Sequence, residues 1–341
     1  MAGSNASLGV QLDNPPADGV TALRFSTNSD LLLASSWDGM ARLYDPLRNS
    51  LRGSYSHQAP VLDTCFQDDS IIYTAGLDCL VKRYDFFGRM ESIIGGHNKP
   101  VRCLEVLRDS GVVVSGSWDS TLRLWDPRLP QGQNCVALIG LPGKVFTMSA
   151  VGTRLVVGTS GRHVLVYDIR GLSSGSPEQQ RPEQHRESSL KYQMRCIRCF
   201  PDGTGFALSS VEGRVAIEYF DQSEAVQAKK YAFKCHRKSE GGKDVVYPVN
   251  TMAFHPVFGT FVTGGCDGVV NIWDGKNQKR LFQIANYPTS IAAAAFSRDG
   301  THLAVASSYT YEMGEREHPG DSIFVREMNE VEVKPKPRKA S

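Results

Sequence analysis

One set of residues in the chain has the types that also occur in catalytic sites: a histidine, a serine and an aspartate. His97 precedes an apolar segment, Ser115 ends the next one, and Asp119 lies in the polar turn that follows. Such a histidine could act as a general base toward the serine hydroxyl. Trp125 lies on the strand after the turn, where its N–H can extend a hydrogen-bond chain. We interpret His97, Ser115, Asp119 and Trp125 as a structural chain, because a buried polar network is tolerated only when every member is satisfied.

A Cys-x-x-Cys pair is a second candidate for chemistry. Cys196 and Cys199 form it, and Cys235 and His236 follow later. Zinc would require both cysteines to converge on one ion. Residues 194–200 have the pattern of a strand, however, and side chains three positions apart on a strand point to opposite faces. We therefore predict no metal site and assign both cysteines to the core.

Other motifs with a catalytic mechanism are absent from the sequence. It contains no Gly-Lys-Ser/Thr phosphate loop, no His-Glu-x-x-His and no Gly-x-Ser-x-Gly. The sequence therefore predicts no catalytic residues and no cofactor, and it favours a protein that is not an enzyme.

The elements that position these residues come from a phrase that recurs seven times. Each copy has a small-residue strand end, a tight polar turn and an alternating strand that stops near an acid. The closing acids are Asp45, Asp85, Asp126, Asp168, Asp221, Asp274 and Glu327. Their spacings of 40, 41, 42, 53, 53 and 53 residues, with Trp-Asp or Tyr-Asp endings, are typical of WD repeats. The sequence predicts an all-β, seven-bladed WD40 β-propeller with one four-stranded blade per repeat.

The two ends of the chain suggest how the ring closes. Ser7–Leu12 is a short alternating segment before the first repeat, and the last repeat has no strand after it. We predict that this N-terminal strand pairs into the last blade, which removes the two open sheet edges. Residues 1–330 then form one propeller and residues 331–341 a basic, disordered tail. Gly171–Ser189 is rich in Ser, Gln, Glu and Pro and reads as an exposed loop between blades four and five.

Composition excludes several classes of function. The repeats span nearly all of the 341 residues, so we expect one domain. A net charge of +2 does not point to a nucleic-acid partner, and no apolar run reaches membrane-spanning length. The N-terminus lacks the pattern of a secretory signal, so we expect the eight cysteines to be reduced, in cytosol or nucleus.

Two tryptophans are candidates for binding a partner. Trp37 and Trp118 each precede a turn aspartate at the rim of one ring face, where the other repeats have Leu77, Val211 and Cys266. Each repeat already has a core aromatic residue further on, so these tryptophans are surplus to the blade core. Exposed tryptophans on a ring face are candidate hot spots. The alternative is that both pack against neighbouring blades.

Three arginines are candidates for binding a phosphorylated side chain. Arg195 begins a blade, Arg214 follows the Glu212–Gly213 turn, and Arg237 follows a strand. Corresponding ends of neighbouring strands can bring them together, and convergent guanidinium groups suit phosphoserine or phosphothreonine. The alternative is that they are solvated or paired with nearby acids.

Beyond these features, the chain resembles a particular family in four stretches: Arg186–Phe200, Ser209–Asp221, Lys229–Arg237 and Tyr287–Ala292. They are similar to the spindle-assembly-checkpoint WD-repeat family, that of the third "budding uninhibited by benzimidazoles" protein. The resemblance runs from about residue 4 to the tail and includes the motifs SSWD, GSWD, SSYTYEM and EHPGDSIF. The chain departs from the family pattern at residues 171–184 and 238–244.

The resemblance implies a non-enzymatic adaptor of the nucleus and, in mitosis, the kinetochore. The family binds GLEBS segments of the checkpoint kinase and its pseudokinase relative, joins the mitotic checkpoint complex, and binds phosphorylated Met-Glu-Leu-Thr repeats of the kinetochore scaffold. By motif, Trp37 and Trp118 match its GLEBS-binding positions, and Arg195, Arg214 and Arg237 match its phosphopeptide-binding positions. No membrane and no direct nucleic-acid partner is expected.

An alternative reading comes from a close relative, the messenger-RNA export WD-repeat propeller. It is similar over VEGRVAIEY and FKCHR. It implies an adaptor at the nuclear pore that binds a GLEBS-bearing nucleoporin. ESSLKYQ, NIWD and SSYTYEM favour the checkpoint branch.

Overall fold

The seven repeats fold into seven four-stranded antiparallel sheets in a computed structural model that describes residues 8–172 and 180–336. The first three blades are β2 (Val20–Phe25), β3 (Leu32–Ser36), β4 (Met40–Asp45) and β5 (Ser50–Ser56); β6 (Val61–Phe66), β7 (Ile71–Gly76), β8 (Leu80–Asp85) and β9 (Met90–Gly96); and β10 (Val101–Leu107), β11 (Val112–Ser117), β12 (Thr121–Trp125) and β13 (Cys135–Gly140).

The remaining blades continue the same order. They are β14 (Val145–Val151), β15 (Arg154–Thr159), β16 (His163–Asp168) and β17 (Gln184–Glu187); β18 (Met194–Cys199), β19 (Gly205–Ser210), β20 (Arg214–Tyr219) and β21 (Tyr231–Lys234); β24 (Val249–Phe254), β25 (Phe261–Gly265), β26 (Val270–Asp274) and β27 (Lys279–Ile284); and β28 (Ile291–Phe296), β29 (His302–Ser307), β30 (Ser322–Glu327) and β1 (Val10–Gln11). The hairpin β22 (Arg237–Glu240) and β23 (Lys243–Val246) stands outside the blades. This architecture confirms the predicted seven-bladed propeller.

The first strand of every blade faces the centre of the ring. These seven inner strands contact one another around the ring, from β2 through β6, β10, β14, β18 and β24 to β28 and back to β2. They run in the same direction, so their N-terminal ends share one face of the ring and their C-terminal ends share the other. We call these the upper and the lower face.

The last blade takes its fourth strand from the start of the chain. Val10 is opposite Val325 and Gln11 is opposite Phe324 in the ladder, and the Leu12 amide donates to the Ile323 carbonyl at 2.8 Å. The closure is therefore as predicted for the described part of Ser7–Leu12; Ser7 itself lies outside the described residues. Pairing the two chain ends leaves the ring without a free edge between its first and last blades.

Two segments differ from the sequence-based prediction. The predicted loop at 171–189 contains β17, which pairs with β16 and completes blade four. Without β17, the edge of β16 would be unpaired. Residues 173–179 lie outside the described residues. Beyond residue 330, Glu330–Val333 form the helix α3, where the Arg326 guanidinium pairs with Glu332 at 2.7 Å and Val333 is buried. The ordered chain thus extends past the predicted end of the propeller, and residues 337–341 of the predicted tail are not described.

The core consists of apolar side chains packed between neighbouring blades. Its largest fully buried members are Tyr44, Tyr73, Tyr167, Phe206 and Phe261. The described helices are single turns: α1 (Ile169–Leu172), α2 (Glu224–Gln227), α3, and the 3-10 turns Pro46–Arg48 and Ser160–Arg162. Among the residues that the structure describes, none of these helices has the length and apolarity needed to cross a membrane.

Candidate functional site

His97 lies at the centre of a hydrogen-bond chain inside blade three. Its Nδ1 is 3.1 Å from the Asp119 carboxylate, and its Nε2 is 2.7 Å from the Ser115 hydroxyl. The Trp125 indole donates to the same hydroxyl at 2.8 Å. The imidazole is buried, and burial lowers the pKa of His97 to about 4 despite the nearby Asp119 carboxylate. A neutral, buried and fully bonded imidazole suits a structural role, since no substrate can reach it.

Two more blades contain the same arrangement. In blade six, His236 bonds Asp267 at 2.8 Å and the Thr263 hydroxyl at 2.7 Å, and Trp273 donates to that hydroxyl. From the sequence, His236 was a candidate only for zinc binding, and this hydrogen-bond chain was not predicted. The Trp273-Asp274 ending is the signal that could have indicated it.

Blade two contains a shorter version. His57 bonds Asp78 at 2.6 Å and Thr74 at 2.5 Å. Tyr84, which occupies the tryptophan position, donates instead to the Ser56 carbonyl.

The Cys-x-x-Cys pair has its two side chains on opposite faces of β18. Cys196 packs with Val215 and Val249, whereas Cys199 packs with Val156 and Phe206. No metal-binding cluster occurs among the described residues. Burial raises the pKa of the Cys199 thiol to about 12, in keeping with a place in the core.

Trp37 and Trp118 line one depression on the upper face. Each lies in the turn between the second and third strands of its blade. The backbone N–H of Trp37 donates a hydrogen bond to the Gly19 carbonyl, and that of Trp118 donates to the Pro100 carbonyl. The depression has a volume of about 590 Å³, and its lining residues come from six of the seven blades. Trp37 is 46% exposed, and the indole N–H of Trp118 has no hydrogen-bond partner.

Arg195 lines the same depression as the two tryptophans. It lies at a β-bulge between Met194 and Cys196, and its Nε has no hydrogen-bond partner. The register of every inner strand shifts in this way at its second residue. Bulges redirect side chains, and the residues at these positions that line the depression are Thr21, Leu62, Arg102, Arg195, Asn250 and Ala292.

Arg214 and Arg237 lie together, on either side of the Glu212–Gly213 turn. The Arg237 guanidinium donates to both carbonyls of that turn at 3.4 Å, and Arg214 lies 3.5 Å from the Glu212 carboxylate. Gly213 has a φ of +63°, and a Cβ there would lie 2.7 Å from the Cys235 carbonyl oxygen, so the turn requires glycine. The Val211 amide bonds the Gln193 carbonyl, which joins this turn to the segment that leads into Arg195. The three arginines therefore share blade five and its edge, with Arg195 in the depression and the other two at the turn.

The depression also contains one basic and two aromatic side chains that were not predicted as site residues from the sequence. Arg102 comes from a bulge, and Tyr309 and Tyr311 belong to the SSYTYEM segment. Tyr311 is exposed, so it adds a third aromatic side chain to the surface formed by Trp37 and Trp118. Strand alternation could not have placed Arg102 here, because the bulge interrupts that alternation.

The fold and this upper-face depression define a WD-repeat β-propeller with an aromatic and basic ring face. The family model for "WD domain, G-beta repeat" matches residues 10–45, 88–126 and 232–274. Among curated proteins, the chain is 59% identical to "Mitotic checkpoint protein BUB3.1" of Arabidopsis thaliana, over 97% of this chain and 96% of that protein. It is 46% identical to "Mitotic checkpoint protein bub3" of Dictyostelium discoideum, over 98% and 99%. The chain belongs to the BUB3 family of mitotic checkpoint proteins.

A second group of relatives is more distant. The chain is 33% identical to "Poly(A)+ RNA export protein" of Schizosaccharomyces pombe, over 97% of this chain and 93% of that protein. The higher identity to BUB3 proteins supports a spindle-checkpoint role.

Proposed function

We propose that this protein is a non-enzymatic adaptor of the spindle-assembly checkpoint. It binds GLEBS segments of the checkpoint kinase and of its pseudokinase relative through Trp37 and Trp118. It binds phosphothreonine in Met-Glu-Leu-Thr repeats of the kinetochore scaffold through Arg195, Arg214 and Arg237. It thereby recruits the kinases from the nucleus to unattached kinetochores and takes part in the mitotic checkpoint complex.

The observation that carries this proposal is the shared depression. Trp37, Trp118 and Tyr311 offer apolar area, while Arg102 and Arg195 offer charge. The Trp118 indole N–H and the Arg195 Nε have no hydrogen-bond partner among the residues that the structure describes. Buried donors without a partner carry a free-energy cost, which a peptide carbonyl or carboxylate would remove on binding. A peptide segment with both apolar and acidic residues suits this surface.

Phosphothreonine suits the three arginines for a separate reason. A phosphate carries about −1.5 to −2 charges and three acceptor oxygens at neutral pH, so one guanidinium cannot satisfy it. Arg214 and Arg237 share a turn, and their existing partners are an exposed carboxylate, backbone carbonyls and the Glu212 side chain. A phosphate is a stronger acceptor than those carbonyls, so it can recruit both side chains.

The test is fluorescence polarisation with a GLEBS peptide and with paired phosphorylated and unphosphorylated Met-Glu-Leu-Thr peptides. Trp37→Ala or Trp118→Ala should each cost about 2 kcal/mol of GLEBS binding, roughly thirtyfold in Kd. Phe87→Ala is the matched control, because Phe87 is 88% exposed in the β8–β9 turn, outside the depression.

Two results would overturn the proposal. Wild-type GLEBS affinity in both tryptophan variants would remove the first binding site. Equal wild-type affinity for the phosphorylated and unphosphorylated peptides would remove the second.

The more distant relatives favour a second candidate, an mRNA-export adaptor that binds a GLEBS-bearing nucleoporin. Its support is the 33% identity to the RNA export protein over nearly the whole chain. Affinity pulldowns from mitotic and interphase extracts separate the two candidates. Recovery of checkpoint kinases supports the first, and recovery of a nucleoporin without kinases supports the second.

A further inference from the structure

A group of arginines lies on the lower face, opposite the proposed peptide site. Arg24 and Arg198 each precede the last residue of an inner strand, β2 and β18. Arg108 follows β10 by one residue and Arg298 follows β28 by two. Because the inner strands run in the same direction, these ends meet at the lower opening of the central channel. The four arginines come from blades one, three, five and seven.

These four arginines line a single cavity of about 390 Å³, and no acidic residue lines it among the described residues. Between the arginines, the lining also includes the apolar side chains of Phe25, Phe254 and Phe296. Arg24 and Arg198 also line the narrower cavity further along the channel. The volume lies within the range of small-molecule pockets.

The charge of this opening is only partly neutralised by the protein. Arg24 pairs with Glu105 at 3.2 Å and lies 3.7 Å from Asp63, and its Nε has no partner. In the part of the chain that the structure describes, Arg198 donates to the carbonyls of Met148 and Ile197, and Arg298 donates to that of Asn28.

Two of the arginines reach solvent. Arg108 and Arg298 are exposed, and no carboxylate within residues 8–172 and 180–336 pairs with either. Glu105 and Asp109 line the neighbouring cleft rather than this cavity. The opening is therefore a partly neutralised positive site with two half-buried and two exposed guanidinium groups, and such groups form charge-assisted bidentate bonds to phosphate.

We propose that the lower opening of the central channel binds a compact polyphosphorylated small molecule of the inositol polyphosphate type. Arginines from four blades surround the opening, so they fit phosphoryl groups distributed around a small ring. Single-stranded nucleic acid fits less well, because it needs exposed aromatic side chains for stacking. Phe25 and Phe296 are each only 9% exposed. This site is independent of the peptide site proposed for the upper face.

Isothermal titration calorimetry with inositol hexakisphosphate tests this proposal. The wild-type protein should bind it, and binding should weaken as salt rises because the contacts are ionic. Arg108→Ala combined with Arg298→Ala should weaken binding about a hundredfold, since each charge-assisted contact contributes about tenfold. Both side chains are exposed, so this variant should fold, and a wild-type melting temperature would verify that.

Arg52→Ala combined with Arg89→Ala is the matched control. Both arginines are exposed, Arg52 in β5 and Arg89 in the β8–β9 turn, and the variant removes the same net charge. It should bind inositol hexakisphosphate like the wild type. Three results would overturn the proposal: no wild-type binding at low salt, an equal loss in the control variant, or full competition by a single-stranded RNA of equal charge. GLEBS binding by the Arg108/Arg298 variant should be unchanged, so failure here is distinct from failure of the proposed function.

Discussion

At the scale of single residues, the buried histidines bind the turns of their blades to the sheets. His97, His57 and His236 each connect a turn aspartate to a strand hydroxyl. The aspartate accepts from the backbone of its own turn, as Asp119 does from the Thr121 amide at 3.0 Å. Each hydrogen-bond chain therefore holds its turn in place. In blade three this turn contains Trp118, which directly precedes Asp119 and lines the upper-face depression.

The buried His97 predicts that stability depends on pH. Burial lowers the pKa of His97 from 6.5 to about 4, against the opposing effect of Asp119 and with a smaller contribution from Arg123. In the unfolded chain His97 therefore becomes protonated below pH 6.5, whereas in the folded chain it stays neutral until the pH approaches about 4. The stability from neutral His97 is fully present above pH 6.5 and is lost as the pH falls toward 4, by up to roughly 3 kcal/mol.

Urea unfolding across this pH range measures the effect. His97→Gln should be less stable at neutral pH, and its stability should fall less steeply on acidification than that of the wild type. His318→Gln, at an exposed histidine, is the control and should keep the wild-type slope. A wild-type slope in His97→Gln would contradict the assignment. Because burial also lowers the pKa of His255, only the difference between variants is informative.

The sequence was sufficient to predict contacts within one repeat, but not contacts that depend on how strands and blades align. The spacing of His97, Ser115, Asp119 and Trp125 was enough to predict their chain, because all four lie on strands and turns of one repeat. Arg102 could not be found in this way, since its position depends on a bulge whose register involves two strands. The convergence of four arginines at the lower opening likewise depends on how separate blades align.

At the scale of elements, ring closure rests on a very short strand. β1 has two residues, yet Leu12 beside it is 1% exposed and packs into the core between the last and first blades. Gly9 has a φ of +100°, and a Cβ there would lie 2.7 Å from the Val325 carbonyl carbon. Close approach of the two backbones therefore requires glycine at this position.

Removing this element should destabilise the protein. Deletion of residues 1–12 should lower the melting temperature and the solubility, because it exposes the β30 edge and removes Leu12 from the core. Gly9→Ala should also lower the free energy of unfolding, through both backbone strain and steric contact. Differential scanning calorimetry on both variants measures this, and an unchanged melting transition in the deletion variant would contradict closure by β1.

Gly132→Ala is the matched control for the point substitution. Gly132 has a φ of +87°, and no atom lies within 4 Å of its ideal Cβ. It should therefore show only the strain of a positive φ, about 1 kcal/mol. A loss in Gly9→Ala no larger than this would mean that the contact with Val325 contributes nothing.

The sequence predicted the strands of the repeats more reliably than the segments between them. The alternation in each repeat marks its third strand, so seven endings were enough to count the blades. β17 was missed because a four-residue polar strand has no apolar alternation, and its order comes from pairing with β16 and from bonds of Gln184 and Arg186 to blade five. The α3 turn was missed because its contacts include a hydrogen bond from the Thr260 hydroxyl to the Val333 carbonyl, and these two residues are 73 positions apart.

At the scale of the whole molecule, the two proposed upper-face sites share one residue. Arg195 lines the depression with the tryptophans, whereas Arg214 and Arg237 lie at the turn beside it. Arg195→Ala should therefore weaken both GLEBS and phosphopeptide binding, the latter by about 1.5–3 kcal/mol. Arg214→Ala should weaken only the phosphopeptide, and Arg214→Lys should restore that binding in part, since lysine lacks the planar fork.

Calorimetry with each peptide alone measures this difference. Arg52→Ala serves as the control for loss of one positive charge outside the face and should leave both affinities unchanged. Wild-type GLEBS affinity in Arg195→Ala would show that the two peptides do not share this residue.

Closure by β1 also implies a delay during biosynthesis, because β1 is made long before the strand with which it pairs. β1 leaves the ribosome well before its partner strand β30, which lies more than three hundred residues later in the chain. At a translation rate of about 5–20 residues per second, that wait lasts roughly 15–60 seconds. Throughout it, the growing stack of blades has an open end, and the apolar Leu12 side chain has no core to enter. An unpaired sheet edge and exposed apolar surface are the features that promote aggregation, so the nascent chain carries this risk until β30 has been synthesised.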